Sequence, residues 1–186
     1  MNINRIEEFS HKKTLIPRTF DEDEFIELRK CGIGSSFAVT LFYHISKEEL
    51  VVIKRPNTLT SEIQKLVQRE IINYSKLKYP LIPKYYGTQN NDLVIEFLNG
   101  RTLSNIKNLN LTVNEKITII FEIMVTIGFI HQNHFIYRDL KPNNIIIDEN
   151  KTAVLIDFDR MIEYNDSFSE QIHTVDFSHV YSAPEI

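Results

Sequence analysis

A single cysteine, Cys31, stands in the 186 residues. This excludes an internal disulfide and suits a reducing compartment. A surplus of positive charge is absent as well: 21 Lys and Arg against 25 Asp and Glu leave a net charge of −4. That argues against a general nucleic-acid binder, which needs a basic surface. No apolar run is long enough for a membrane span, and the longest, around Ile117 to Ile130, is broken by Glu122. The first residues, Met1 to Glu8, lack the apolar core of a signal peptide. Neither an internal repeat nor a linker rich in Pro, Gly or Ser interrupts the chain. What is present, 42% hydrophobic and 25% charged residues, is the balance of a soluble globular protein with enough chain for a sizeable core. A cytoplasmic or nuclear location is the expectation.

Residues 1–24 are polar and end in the acidic run Asp21-Glu22-Asp23-Glu24, so they read as an extension. Phe25-Ile26-Glu27-Leu28 opens a strand pattern that runs into Gly32-Ile33-Gly34-Ser35-Ser36, and further strands are expected over Phe37 to Ile45 and Leu50 to Lys54. Pro56 and Asn57 break the pattern. Thr60 or Ser61 can then cap a helix with apolar positions at Ile63, Leu66, Val67, Ile71, Tyr74 and Leu77, closed by Pro80 and Pro83. Short strands are expected near Lys84 to Thr88 and Asp92 to Phe97. Thr112-Val113-Asn114-Glu115 has the capping-box pattern, ahead of a long helix carrying Ile117, Ile120, Phe121, Met124 and Ile127. A strand pair, Ile145 to Ile147 and Ala153 to Ile156, brackets the turn Asp148 to Lys151.

Three groups of residues carry chemistry. Gly32-x-Gly34 between two strands would let backbone N–H groups approach phosphates closely, although glycine pairs also mark ordinary hairpin turns. Lys54 closes an apolar strand and, alone, reads as a lysine reaching from a strand end. Glu70 changes that reading. It shares the apolar stripe of its helix, and a carboxylate on a buried face is costly unless paired; Lys54 is the obvious cation. Glu62 is the alternative partner, but a first-turn Glu is more simply a helix-dipole residue. The richest stretch is Tyr137-Arg138-Asp139-Leu140-Lys141-Pro142-Asn143-Asn144, followed by Ile145-Ile146-Ile147. It puts a carboxylate, a lysine and a carboxamide on one short loop, equipment to orient a hydroxyl, neutralise a phosphoryl group in transfer and hold a metal ion.

This loop resembles the catalytic loop of eukaryotic protein kinases, with Tyr137 where His is more usual. The resemblance extends from about Phe25 to Ile186. It implies an α+β fold of two lobes: a β-rich N-lobe with one helix over about 25–98, and an incomplete helical C-lobe over about 99–186. It further implies that Asp139 accepts the proton of a substrate hydroxyl, that Lys141 neutralises the γ-phosphate, and that the Lys54–Glu70 pair serves the α- and β-phosphates. Asn144 and Asp157 would hold Mg²⁺, Asp157 in Leu155-Ile156-Asp157-Phe158-Asp159, which is similar to the family's Asp-Phe-Gly. ATP would lie against Gly32, Ile33, Gly34, Val39, Val52, Ile95 and Ile146, with adenine hydrogen-bonded by the backbone at Glu96 and Leu98. Lys141-Pro142 after Asp139-Leu140 looks like serine/threonine kinases. The implied activity is transfer of the γ-phosphoryl group of Mg-ATP to Ser/Thr hydroxyls of a protein substrate, with no nucleic-acid or membrane partner. Arg138 resembles the arginine that clamps a phosphorylated activation loop. Ser182-Ala183-Pro184-Glu185 resembles the Ala-Pro-Glu that closes that segment; Ser178 aligns with a hydroxyl that contacts the catalytic Asp, and Ser167, Ser169 and Thr174 are candidate phosphosites.

The chain departs from the family pattern at three further points. Phe37 stands at the third glycine, Val52 replaces an alanine beside the base, and Asp159 replaces the glycine after Asp157-Phe158. These departures support an alternative, a non-catalytic pseudokinase-like or truncated module that binds nucleotide or a partner. A complete domain of the family continues into a large helical region after Ala-Pro-Glu, so a partly exposed helix face over Ile117 to Ile130 is expected, with association as its consequence.

Overall fold

The computed structural model describes residues 24–33, 37–89, 92–108, 110–164 and 181. Residues 1–23, Gly34, Ser167, Ser169, Thr174, Ser178 and the motif Ser182 to Glu185 lie outside them. The chain divides into two compact units, Met1–Ile71 with Lys84–Phe97, and Ile72–Pro83 with Leu98–Ile186.

Alternation of apolar and polar residues builds the first unit. Strands β1 (Phe25–Ile33), β2 (Phe37–His44), β3 (Glu49–Pro56), β4 (Tyr85–Gln89) and β5 (Asp92–Glu96) form one antiparallel sheet in the order β1-β2-β3-β5-β4. One face carries the buried cluster Phe42, Val51, Ile53 and Val94, against which Phe25 and Tyr86 pack. Strand β3 runs past Lys54 to Pro56, farther than the sequence pattern suggests. Phe37 pairs with Pro56 and Ala38 with Arg55, and the Arg55 guanidinium holds Asp92 at 2.7 Å. Pro56 takes the last strand position, where a missing N–H matters least.

Helix α1 (Ser61–Lys76) begins where Thr60 accepts a hydrogen bond from the Ile63 N–H at 3.3 Å. This satisfies one of the orphan donors of the first turn. Residues of α1 up to Ile71 belong to the first unit and those from Ile72 to the second. It buries Val67, Glu70, Asn73 and Tyr74, with Leu77 buried just beyond its end.

In the second unit, helix α2 (Val113–Gln132) starts at the expected capping box: Thr112 accepts from the Glu115 N–H, and the Glu115 side chain takes the Thr112 N–H. The helix is apolar on more than one side. Ile119, Thr126 and Ile130 are buried, whereas Ile117, Ile120, Phe121 and Met124 are each 57–65% exposed. Phe129 stacks on Tyr79 at 4.4 Å, and Glu122 accepts the Ala153 N–H at 2.7 Å. Strands β6 (Gly100–Thr102), β8 (Ile145–Asp148) and β9 (Ala153–Leu155) form a three-stranded sheet in the order β6-β8-β9. Strand β7 (Phe135–Ile136) pairs with β10 (Ile162–Glu163). Gly100 is required where β6 crosses β8, because a Cβ there would lie 2.3 Å from the Ile147 carbonyl oxygen. The short strands β6, β7 and β10 were not foreseen. Antiparallel sheets with two α-helices among the described residues give an α+β fold. No helix among them is long and apolar enough to cross a membrane.

Candidate active site

Strand register decides which residues meet in the first unit. Val39 lies opposite Lys54, Val52 opposite Ile95, and Gly32 opposite Val39. Side chains alternate along a strand and directly paired residues share a face. Val39, Val52, Lys54 and Ile95 therefore line one face, the one turned away from the Phe42–Val51–Ile53–Val94 cluster. Glu96 pairs with Val51 and so belongs to the other face, where Lys84 Nζ is 3.5 Å from its carboxylate. The Glu96 N–H donates to Lys84 O at 2.9 Å.

Glu70 of α1 meets Lys54 as a tight pair: Lys54 Nζ lies 2.9 Å from Oε1 and 2.8 Å from Oε2. The two side chains are only 11% and 2% exposed. Glu62 sits exposed in the first turn of α1. Sequence reasoning missed a second neighbour of the lysine. The ring of Phe37, the residue at the third-glycine position, has Lys54 Nζ 4.4 Å from its centroid, within cation–π range.

In the second unit the loop after β7 turns its polar groups onto one carboxylate. Asp139 is buried. Lys141 Nζ donates to its Oδ2 at 2.7 Å, and Asn144 Nδ2 donates to the same oxygen at 2.9 Å and to the Asp139 carbonyl at 3.0 Å. The short 3₁₀ turn Pro142–Asn144 brings Asn144 back toward Asp139. Arg138 has φ 66° and donates through Nε to Arg160 O at 2.9 Å.

Asp157 follows β9 with φ 68°. The Ile156 N–H before it donates to Asn144 O at 2.9 Å, so the two expected metal ligands are neighbours along one backbone hydrogen bond. Phe158 is fully buried between two rings, Tyr74 at 4.9 Å and Tyr137 at 5.5 Å, both edge-on. Tyr137 donates to Ile156 O. Burial pushes the Tyr137 phenol well above its ordinary value, and the charges of Asp157, Asp139 and Asp159 push the same way against a hydrogen bond with Asn144. The Asp157 carboxylate and Asn144 carboxamide are hard oxygen donors of the kind Mg²⁺ takes. Among the described residues no group of three or more His, Cys, Asp and Glu is placed to hold a metal ion.

Ile146 is half-buried on β8, opposite Val154 and Thr102, and Leu98 is half-buried just before β6. A sequence model of the protein kinase domain matches residues 25–186. The chain belongs to the protein kinase family. Among similar kinases, the serine/threonine-protein kinase pak-2 of Caenorhabditis elegans is 26% identical over 158 residues, 82% of this chain and 30% of the relative. Serine/threonine-protein kinase D of Synechocystis is 36% identical over 141 residues, 68% of this chain and 27% of its own length. The dual specificity protein kinase zak2 of Dictyostelium discoideum is 31% identical over 117 residues, 60% and 18% respectively. The kinase chain described here spans less than a third of each relative. Asn73 is the buried residue at this site that sequence reasoning passed over, though an Asn beside Tyr74 on an apolar stripe was a readable signal.

Proposed function

We propose that this chain is a serine/threonine protein kinase domain over 25–186, preceded by an extension over 1–24 and divided into lobes near residue 98, that transfers a phosphoryl group to protein hydroxyls. The convergence of Lys141 and Asn144 on the buried Asp139 carboxylate carries the reading. Two donors fix the carboxylate's rotamer, so it is oriented to accept the proton of an incoming hydroxyl rather than to search for it. Lys141, already beside that carboxylate, supplies the positive charge that balances a transferring phosphoryl group. Lys54, held by Glu70, presents its ammonium to the α- and β-phosphates. Gly32, Ile33, Val39, Val52 and Ile95 of the first unit and Ile146 of the second are assigned to the nucleotide, as is Gly34, which lies outside the described residues. At Glu96 the carbonyl is the group offered to adenine, since its N–H is engaged with Lys84, and Leu98 contributes its backbone. Asn144 and Asp157 hold Mg²⁺. ATP and Mg²⁺ are general to the family; when bound they supply the phosphoryl group and spread the charge of its oxygens. Lys141-Pro142 and the names of pak-2 and kinase D support the Ser/Thr acceptor class, whereas zak2 is named a dual specificity kinase.

Transfer of labelled phosphate from Mg-ATP to dephosphorylated casein, or to the chain itself, tests the proposal. Asp139→Asn should lower the rate roughly 10²–10⁴-fold, while Mg-ATP still raises the melting temperature, as ligand binding to the native state must. Equal rates in both proteins would overturn the mechanism. A second reading, nucleotide binding without turnover, is favoured by the Phe37 ring against Lys54; it predicts the thermal shift with no transfer in either protein.

A further inference from the structure

The chain from Ile156 to Met161 belongs to no strand, yet Phe158 and Met161 are completely buried. Buried carbonyls that lack a ladder must find other donors. Beside the Met161 N–H, which donates to Phe158 O at 3.3 Å, side chains supply them here. The Tyr137 hydroxyl donates to Ile156 O, Arg138 Nε to Arg160 O, and Asn73 Nδ2 to both Phe158 O at 2.7 Å and Met161 O at 3.1 Å. Tyr137 and Arg138 belong to the loop of Asp139. Asn73 does not. It comes from the last turns of α1, is 3% exposed, and sits beside Tyr74 where an apolar residue would bury equally well. A carboxamide removed from water at such a place is tolerated only when its hydrogen bonds are made, and this one bridges the two ends of the turn Phe158–Met161.

That turn directly follows Asp157, whose φ of 68° lies in the left-handed region. Asp enters that region more readily than most side chains, and here hydrogen bonds on both sides of Asp157 hold the chain in it. On the N-terminal side the constraint is the Ile156 N–H bond to Asn144 O. On the C-terminal side it is the turn Phe158–Met161, closed by the Met161 N–H on Phe158 O at 3.3 Å and bridged by Asn73. We propose that Asn73 is a positioning residue for Asp157: by clamping Phe158–Met161 it holds the Asp157 backbone, and hence its carboxylate, in place for the metal ion. This rests on the reading of Asp157 as a Mg²⁺ ligand. The clamp acts on the same turn that carries Asp159 in place of the family's glycine, so side-chain hydrogen bonds there replace backbone freedom as the determinant of its shape.

The test compares the full chain with Asn73→Leu, which keeps volume and removes the donor, and Asn73→Asp, which keeps shape and removes the donor at neutral pH. Hydrogen exchange over residues 156–162 should accelerate about tenfold or more in both variants. The Mg²⁺ concentration for half-maximal phosphoryl transfer should rise roughly 10–100-fold, the usual effect of losing a residue that orients a metal ligand. Unchanged exchange overturns the clamp, whatever the activity. Faster exchange with unchanged Mg²⁺ dependence overturns the positioning role and leaves a merely structural Asn. A wild-type chain with neither transfer nor Mg²⁺-dependent nucleotide binding overturns the reading of Asp157 itself, and that is seen before any variant is compared. If neither variant folds, the Asn73 side-chain amide protons of the wild type decide by NMR. Slow exchange is expected; exchange as fast as an exposed Asn overturns the proposal.

Discussion

A lysine and a glutamate this deeply buried stabilise little as a pair, but each is costly without the other. Removing one partner of a buried pair leaves an uncompensated charge and costs about 3–5 kcal/mol, whereas replacing both by apolar residues is often close to neutral. Lys54→Met should therefore lower the urea unfolding free energy by about that amount, and Lys54→Met with Glu70→Leu should recover most of it. A double variant as unstable as the single one would show that Glu70 is not stranded by the loss of Lys54. This pair was legible in the sequence because charge on an apolar stripe demands a partner. The ring of Phe37 over the same ammonium was not, because a missing glycine says only what is absent and a rotamer decides where the new side chain goes. Asn73 did leave a trace, a carboxamide on an apolar stripe, but the stripe cannot say that its partners are the carbonyls of Phe158 and Met161.

Elements were readable in proportion to their length. The five strands of the first sheet, α1 and the capping box of α2 all follow from alternation, helical spacing or cap chemistry, and their ends moved by only a few residues. Strand β3 gained Arg55 and Pro56 because pairing with β2 continues and the Arg55–Asp92 contact anchors its end, a tertiary effect that local propensity cannot report. Strands β6, β7 and β10 span two or three residues each, too few for any period to register. Gly100 carries the one local sign of β6. A Cβ there would stand 2.7 Å from Ile146 Cγ2 and 2.9 Å from Asp148 Cα as well as against the Ile147 oxygen, so backbone rather than a flexible side chain must give way. Gly100→Ala should cost roughly 1–3 kcal/mol, the range for overpacking, with faster amide exchange in β8. Unchanged melting and exchange would mean that β6 shifts freely.

At the scale of the whole molecule the decisive feature is the apolar surface of α2. Ile117, Ile120, Phe121 and Met124 recur at helical spacing and are exposed. Contiguous apolar patches bind hydrophobic probes and promote association. Replacing Phe121 and Met124 together by Gln should reduce ANS fluorescence of the folded chain and shift sedimentation toward the smallest species. Unaltered ANS binding would place the sticky surface elsewhere. The two units draw on one helix, α1, for their buried residues, Glu70 in the first and Asn73 and Tyr74 in the second. Bulk composition says nothing of this division; the expectation of two lobes comes from the order of the elements and the kinase resemblance.

The cap at Thr112 has a further consequence, best put as one of phase. An α-helix advances about 100° per residue, and the reciprocal bonds of Thr112 and Glu115 fix where the rotation starts. From that origin Ile119, Thr126 and Ile130 arrive at the inner azimuth and Ile117, Ile120 and Phe121 at the outer one. A residue inserted ahead of Thr112 is absorbed by the chain before the cap and leaves every azimuth intact. The same insertion after Glu115 rotates the rest of the helix by about 100°, which moves Ile119, Thr126 and Ile130 off the inner arc and turns Glu122 away from the Ala153 N–H that it accepts. Thr112 is therefore the place where a helix with little polar contrast of its own learns which side is in.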